Sequence, residues 1–415
     1  MLTVITATTL LVSFRGSDAD RVTTGSSIGA SPTIAPAAQV WPQAVAKIPA
    51  TAPDGWKYRP ITGFGPDEIL LAAESSFEKT GRLEVFNVKT AKSRILAKMP
   101  EPGGVDSYFV QDVAVSPKYI AWWGATPNTN QQWADVWVMP RSGGVPSKVI
   151  ETSGMTGDIE RLEVLEETIV WSVSSGGVYE IGIAGGAPHR ILGSEGLHIL
   201  SWPWATDVPR HSTASSKQTR LVNLVSGQAA PISVLSDAQG IRCTPVWCSF
   251  ASNSGELNIQ PQTAAPRQVL GMIRTRQGME PLGNDFGLIR GRSGKSQSTS
   301  DASQEEEFSA ILFHPPSGAV GGVGTESGFS FGASSSLASV IYWDADIKRT
   351  QVCSPAAGST APQVPAEETG SSTTHESKAE PQRPVPSLDP GARRCGTRFV
   401  GGGEELTVLN LAAIR

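Results

Sequence analysis

The sequence predicts an all-β protein, a β-propeller of seven four-stranded blades within a range of six to eight. Three observations carry that reading. Residues 158–192 pack four short strand signals between turn signals. Related strand pairs recur along the chain at intervals of about 40 to 55 residues, the period of propeller blades. Gly (43) and Pro (30) are plentiful, while no run has the apolar length and 3.6-residue period of a long helix.

The founding unit reads as strands at 160–165 and 168–173, a Ser174-Ser175-Gly176-Gly177 turn, a strand at 178–183, a Gly185-Gly186-Ala187-Pro188 turn and a closing strand at 189–192. This is one up-and-down sheet. Its second strand carries Ile169-Val170-Trp171, and the same apolar-x-Trp phase returns in Ile120-Ala121-Trp122, Pro245-Val246-Trp247 and Ile341-Tyr342-Trp343. Ile69-Leu70-Leu71 and Leu288-Ile289-Arg290 hold the place without the tryptophan. Each is followed by a further strand, and the seven of these fall at 83–88, 136–139, 178–183, 221–225, 257–260, 310–313 and 406–411. The copy at 198–204 departs from the phase, because Pro203 has no amide to give a central ladder and forces an edge or bend. At this spacing the tryptophans read as packing between blades rather than as a ligand cage. The ring closes if 407–411 pairs with 341–344 and an N-terminal strand from 41–58 completes that blade.

The chain begins with thirteen uncharged, mostly apolar residues at 2–14, too short for a membrane span and suited to a signal-peptide core. Residues 1–15 are therefore expected to be a signal peptide or the remnant of an anchor. Residues 16–55, rich in Ser, Thr, Ala, Pro and Gly, read as a disordered linker, with the propeller at 56–415. Two polar stretches within it, at about 291–306 and 354–392, read as disordered inserts.

Four cysteines bear on the compartment. At strand rise the path from Cys243 to Cys248 is about 17 Å, against about 5.5 to 6 Å between the Cα atoms of a disulfide. A bridge between them therefore needs a turn, which Thr244-Pro245 supplies. Cys353 with Cys395 would close a loop of about forty residues, for roughly 3 to 4 kcal/mol in the loop-entropy model. Two disulfides imply an oxidising compartment. A four-cysteine zinc site lacks the C-x2-C spacing.

Ser201-Trp202-Pro203-Trp204, the stretch LVNLVSG at 221–227 and CTPVWC at 243–248, set in this blade pattern, resemble the exported TolB-like propeller proteins of actinobacteria, over about 56–415. The resemblance implies a tethered propeller outside the cytoplasm and carries no catalytic residues over.

Chemistry-bearing motifs are near misses. Gly294-Lys295-Ser296 ends like a P-loop, but Ile289 stands where its first glycine belongs. Ser76-Phe77-Glu78-Lys79 and Lys79-Thr80-Gly81 mimic motifs of penicillin-interacting enzymes yet share one lysine. Gly322-Val323-Gly324 has no helix after it, and Asp344-Ala345-Asp346 has too few oxygens for a calcium loop. The histidines His189, His198, His211, His314 and His375 are scattered. No cofactor or metal is expected. The net charge of −5, without a basic patch interleaved with aromatics, excludes a nucleic-acid groove.

The expected function is a non-catalytic binding or scaffold module of the bacterial cell envelope, monomeric, taking a protein, peptide or glycan, with membrane contact only through an N-terminal anchor. Two alternatives stand beside it: a hydrolase or lyase whose carboxylates converge from separate blades, and the extracytoplasmic sensor domain of a larger system. Asp112, Asp158 and Asp285, near the starts of expected inner strands, are the candidate channel- or ligand-facing residues.

Overall fold

Short β-rich runs joined by tight turns pair with their immediate neighbours, and the chain lays down one antiparallel sheet after another. The structure is a computed structural model. It describes residues 34–76, 79–100, 108–125, 133–153, 159–210, 212, 216–232, 238–262, 268–276, 278–290, 308–324, 328–332, 339–344, 346, 348–354, 394–400 and 402–414.

A four-residue helix, α1 (Ala37–Val40), precedes β1 (Val45–Pro49). Blade 1 comprises β2 (Lys57–Gly65), β3 (Glu68–Ser76), β4 (Lys79–Asn87) and β5 (Lys92–Lys98). Blade 2 comprises β6 (Phe109–Val115), β7 (Tyr119–Ala125), β8 (Trp133–Pro140) and β9 (Ser147–Ser153). Blade 3 holds β10 (Ile159–Val164), β11 (Thr168–Val173), β12 (Val178–Gly182) and β13 (His189–Arg190), within two residues of each expected boundary. Blade 4 shows three strands among the described residues, β14 (His198–Ser201), β15 (Trp204–Thr206) and β16 (Leu221–Asn223), with a single bridge from Val222 to Ala229 beyond them. Blade 5 is β17 (Gln239–Cys243), β18 (Trp247–Ala251), β19 (Glu256–Pro261) and β20 (Gln268–Arg274). Blade 6 is β21 (Glu280–Leu282), β22 (Phe286–Arg290), β23 (Ala310–His314) and β24 (Ala319–Val323).

Blade 7 begins with β25 (Ser330–Phe331) and β26 (Val340–Trp343). The chain then leaves it for a separate hairpin, β27 (Lys348–Ser354) and β28 (Arg394–Val400), and returns as β29 (Glu405–Asn410). The order β25-β26-β29-β1 draws on both chain ends, with Ile341 opposite Leu409 and Val45 opposite Leu409 on its other edge. This is a seven-bladed β-propeller.

The described residues move the expected N-terminal boundary. Composition puts the propeller's start at residue 56, yet β1 is a full strand of blade 7, and Ala37, Trp41 and Ala44 are buried against blades 6 and 7. A Pro- and Ala-rich segment orders here because its few apolar side chains fill an existing seam. Residues 1–15 and 291–306, with 355–392 of the second insert, lie outside the described residues.

Seven core clusters match the seven seams between consecutive blades. Between blades 1 and 2, Leu70, Leu83 and Val85 meet Val113, Ile120 and Trp122. Blade 7 meets blade 1 through Ile48, Val340 and Val408 against Ile69, Leu71 and Phe86, which closes the ring. Trp122 and Trp171 sit at these seams, at most 4% exposed. The triplet Pro245-Val246-Trp247 is three residues out of phase with them. The turn bonds Ser116 N to Tyr119 O, Leu165 N to Thr168 O and Thr244 N to Trp247 O make Trp247 equivalent to Tyr119 and Thr168. Phe250, fully buried, is thus the residue in the Trp122 and Trp171 position. Trp247 instead packs toward blade 6 and donates its indole N–H to Asn284 O at 2.7 Å. Pro203 occupies the two-residue turn between β14 and β15, where no ladder amide is required.

Candidate functional site at the channel mouth

The first strand of each blade is innermost, and inner strands begin at one end of the ring. The β15–β16 connection, which joins second to third strand, lies at that same end. Here a cavity of about 390 Å³ is walled by side chains of β10, β14, β17, β21 and β25 together with that connection.

Inner strands in a propeller normally alternate their side chains between the two neighbouring blades. Near this cavity four of them break register: β6 between Val110 and Asp112, β10 between Ile159 and Arg161, β14 between Ile199 and Ser201, and β17 between Gln239 and Arg242. A bulge turns the following side chain off the alternating face. The residues so placed include Asp112, Arg161 and Arg242.

Asp112, 4% exposed, accepts from the Leu162 amide at 3.3 Å and stands 3.8 Å from Arg210 Nη1. It satisfies an open-edge amide on the neighbouring inner strand. Glu160 accepts from His198 Nδ1 at 2.6 Å and from the Arg210 amide. Burial pushes its carboxyl upward, but the His198 bond and charge, the Arg210 amide and Arg161 outweigh this and hold it below the usual range. Glu163, two residues beyond Arg161 on β10, goes the other way: burial first, and the Asp112 charge, push it up to about 8 against the pull of Arg161 and Arg210. Arg161 is lowered to about 10, by burial and then by the like charge of Arg210. Its Nη1 donates to Leu200 O, while its Nε, like Glu163 Oε1, is buried with no hydrogen-bond partner among the described residues.

Across the cavity Arg242 donates to Ser216 O, Ile241 O and Ser212 Oγ, and burial lowers its pKa. It thereby ties the β15–β16 connection to blade 5. Gln218 fastens the same connection, accepting from the Cys243 amide at 2.7 Å and donating to Cys243 O at 3.2 Å. Asp207 closes its base by accepting from the amides of Thr219 at 3.0 Å and Arg220 at 3.1 Å. Arg290 pairs with Glu280 at 3.0 Å and lies 4.8 Å from the Phe331 ring centre.

Of the three expected aspartates, Asp112 is buried behind the wall, 3.8 Å from Arg210 Nη1 and on the Leu162 amide, and does not line the cavity itself. Asp285 is exposed in the turn between β21 and β22, at the far end of the inner strand from Glu280, because β22 is the second strand of its blade. Asp158 lies outside the described residues. Cys243 and Cys248 form a disulfide across the β17–β18 turn, as register partners. Cys353 and Cys395 are opposite each other in the β27–β28 register, and their side chains lie outside the described residues. Composition and motif reading passed over Glu160, Arg161, Glu163, His198, Arg210 and Arg242. One signal was available: Glu160-Arg161-Leu162-Glu163 places three charges inside an expected inner strand.

Among the described residues no group of three or more His, Cys, Asp and Glu side chains is placed to hold a metal ion, and no helix is long and apolar enough to cross a membrane. No protein-family model matches the chain, and no curated protein matches it. Solved structures are similar at low identity. YCF48 bound to D1 peptide matches 71% of this chain and 94% of its own at 10% identity, with a TM-score of 0.40. Oligogalacturonate lyase in complex with manganese matches 63% of this chain and 74% of its own at 7% identity and a TM-score of 0.35. The Synechocystis apocarotenoid oxygenase matches 56% of this chain at 12% identity and a TM-score of 0.32, and this chain spans 62% of that protein's length, under two thirds. Likeness at this level says nothing of activity.

Proposed function

We propose that the protein is a non-catalytic binding propeller of the bacterial cell envelope, working outside the cytoplasm and holding its ligand at the channel mouth. The cavity of about 390 Å³ carries this reading. It has the size of a small-ligand site, and its wall mixes apolar and polar side chains brought together from five blades. The Cys243–Cys248 disulfide supports an oxidising compartment. The short motifs at 201–204, 221–227 and 243–248 support kinship with exported TolB-like propellers.

One observation favours a hydrolase or lyase as second reading: Asp112 from blade 2 and Glu160 and Glu163 from blade 3 gather around Arg161 and Arg210, and Glu163 has the raised pKa of a general acid. Binding is the better reading, because Asp112 and Glu160 are already occupied by the Leu162 amide and by His198.

The test is to mix purified protein with envelope extract, re-isolate it, denature it and identify released molecules by mass spectrometry, beside Leu282→Arg, which fills the cavity. A ligand retained by the wild type and lost from the variant is expected. Equal retention by both, or turnover in a panel of ester, glycoside and uronide substrates, would overturn the binding reading.

A further inference from the structure

Arg161 and Glu163 lie two residues apart on β10, beyond its bulge, where pairing with β11 is regular: Arg161 stands opposite Ser172 and Glu163 opposite Val170. Side chains two apart on a strand share one face. Each has one buried polar atom without a hydrogen-bond partner among the described residues, the Arg161 Nε–H as donor and Glu163 Oε1 as acceptor. Both atoms are covered, so the partner that each lacks has to come from within the protein. The complementary group one strand repeat away is the other.

Arg161 is instead turned toward blade 4, where its Nη1 donates to Leu200 O on β14. That bond crosses the seam whose buried apolar residues are Val170, Val178 and Ile199, and both of its residues line the cavity. What keeps the Arg161 donor from Glu163 is a proton. A buried carboxylate left unpaired costs more than a buried carbonyl left unpaired, and a guanidinium matches the carboxylate's two oxygens. Glu163 is faced by Arg161 on its own strand, by Asp112 from β6 and by Arg210 from the β15–β16 connection. Arg210 is engaged by Asp112 at 3.8 Å, and its amide by Glu160, which also holds His198 Nδ1. Arg161 is therefore the cation that can turn to Glu163. Burial first, and the Asp112 charge, keep Glu163 protonated up to about pH 8.

We propose that Glu163 is a proton switch in the cavity wall: with its carboxyl protonated, Arg161 ties blade 3 to Leu200 of blade 4, and with it ionised the guanidinium is drawn back onto Glu163 and the tie is released. Rising pH thus loosens the seam and reshapes the wall, and falling pH restores both. As a control on ligand binding the switch rests on the binding reading above. The movement itself belongs to the ligand-free chain.

The experiment is hydrogen–deuterium exchange of the full ligand-free chain at about pH 6 and about pH 9.5, on either side of the Glu163 transition, beside Glu163→Gln, which cannot ionise. Comparing the two proteins at each pH cancels the intrinsic rise of exchange with pH. Expected is equal exchange at the lower pH and, at the higher, wild-type exchange faster by about tenfold in β10 and β14, as loss of a bond to a charged group implies, with blades 1, 6 and 7 unchanged. A second measurement follows the arginine Nε–H resonances by nitrogen-15 NMR. The one missing from Arg161→Lys should move downfield as Glu163 ionises and stay in place in Glu163→Gln. A pH response shared by Glu163→Gln, a response spread evenly round the ring, or an Arg161 Nε–H that does not move overturns the proposal. A ligand retained by a chain without the switch keeps the binding reading while the proposal falls. A working switch in a chain that retains no ligand overturns its role as a control on binding and leaves the proton link.

Discussion

The seam between blades 1 and 2 and the seam between blades 3 and 4 are built from opposite materials. The first is a thick apolar layer, with Leu70, Leu83, Val85, Val113, Ile120 and Trp122 all at 1% exposure or less. The second has three buried apolar residues, Val170, Val178 and Ile199, and holds together through polar contacts: His198 to Glu160, Arg161 to Leu200 O and Ser194 Oγ to Val178 O. The ring gives up apolar burial on the arc where it assembles its charged cavity, so the cavity-facing charges and the thinnest apolar seam come together. The next seam is also thin and carries the Cys243–Cys248 staple within its core.

Trp122→Ala tests the thick seam and should have the largest effect, about 3–5 kcal/mol, since it opens a cavity and removes the indole donor to Tyr108 Oη. Ile199→Ala in the thin seam should cost about 2 kcal/mol. Denaturant unfolding of both checks the contrast, which fails if Ile199→Ala proves the more damaging. Removing the disulfide with Cys243→Ser/Cys248→Ser should cost about 2 kcal/mol, as for so short a loop in the loop-entropy model. A variant as stable as wild type would show that the thin arc does not depend on its staple.

Gly176 has φ +84°, and a Cβ there would lie 2.7 Å from the Gly196 Cα, so blades 3 and 4 approach backbone to backbone. Gly176→Ala should cost roughly 1–2 kcal/mol, with hydrogen exchange rising in blades 3 and 4 rather than around the ring. Uniform loss of protection would contradict a locally weak arc.

The last contrast is in pH. Glu163 has a raised pKa, so the folded state holds a proton that the unfolded state releases from about pH 4.5 upward, and the stability it contributes is lost as pH rises to about 8. Glu160 has a lowered pKa, and its contribution is lost as pH falls through and below 4.5. The stability advantage of Glu163→Gln over wild type should therefore grow between about pH 4.5 and 8 and level off above. A difference independent of pH would remove Glu163 from the titrating set.

Sequence alone determined the blade rhythm. Residues 158–192 announce four strands because alternation and Gly-Gly turns are local properties, and the third strands of all seven blades are legible for the same reason. The Cys243–Cys248 turn is legible because a strand is too long to bridge otherwise. Only the tertiary structure decided three things. The closing strand, expected from somewhere within 41–58, is fixed at Val45–Pro49 by the open edge that the last blade offers. Trp247 and Phe250 exchange roles because the turn after Cys243 sets the phase of β18, and a tryptophan is apolar enough to serve in either place. Beyond Asp112, which the sequence offered, the site was hidden because Arg161 and Arg242 reach the cavity through bulges, which break the period-two pattern that makes a strand readable, and Arg210 arrives from a connection whose position depends on all the blades around it.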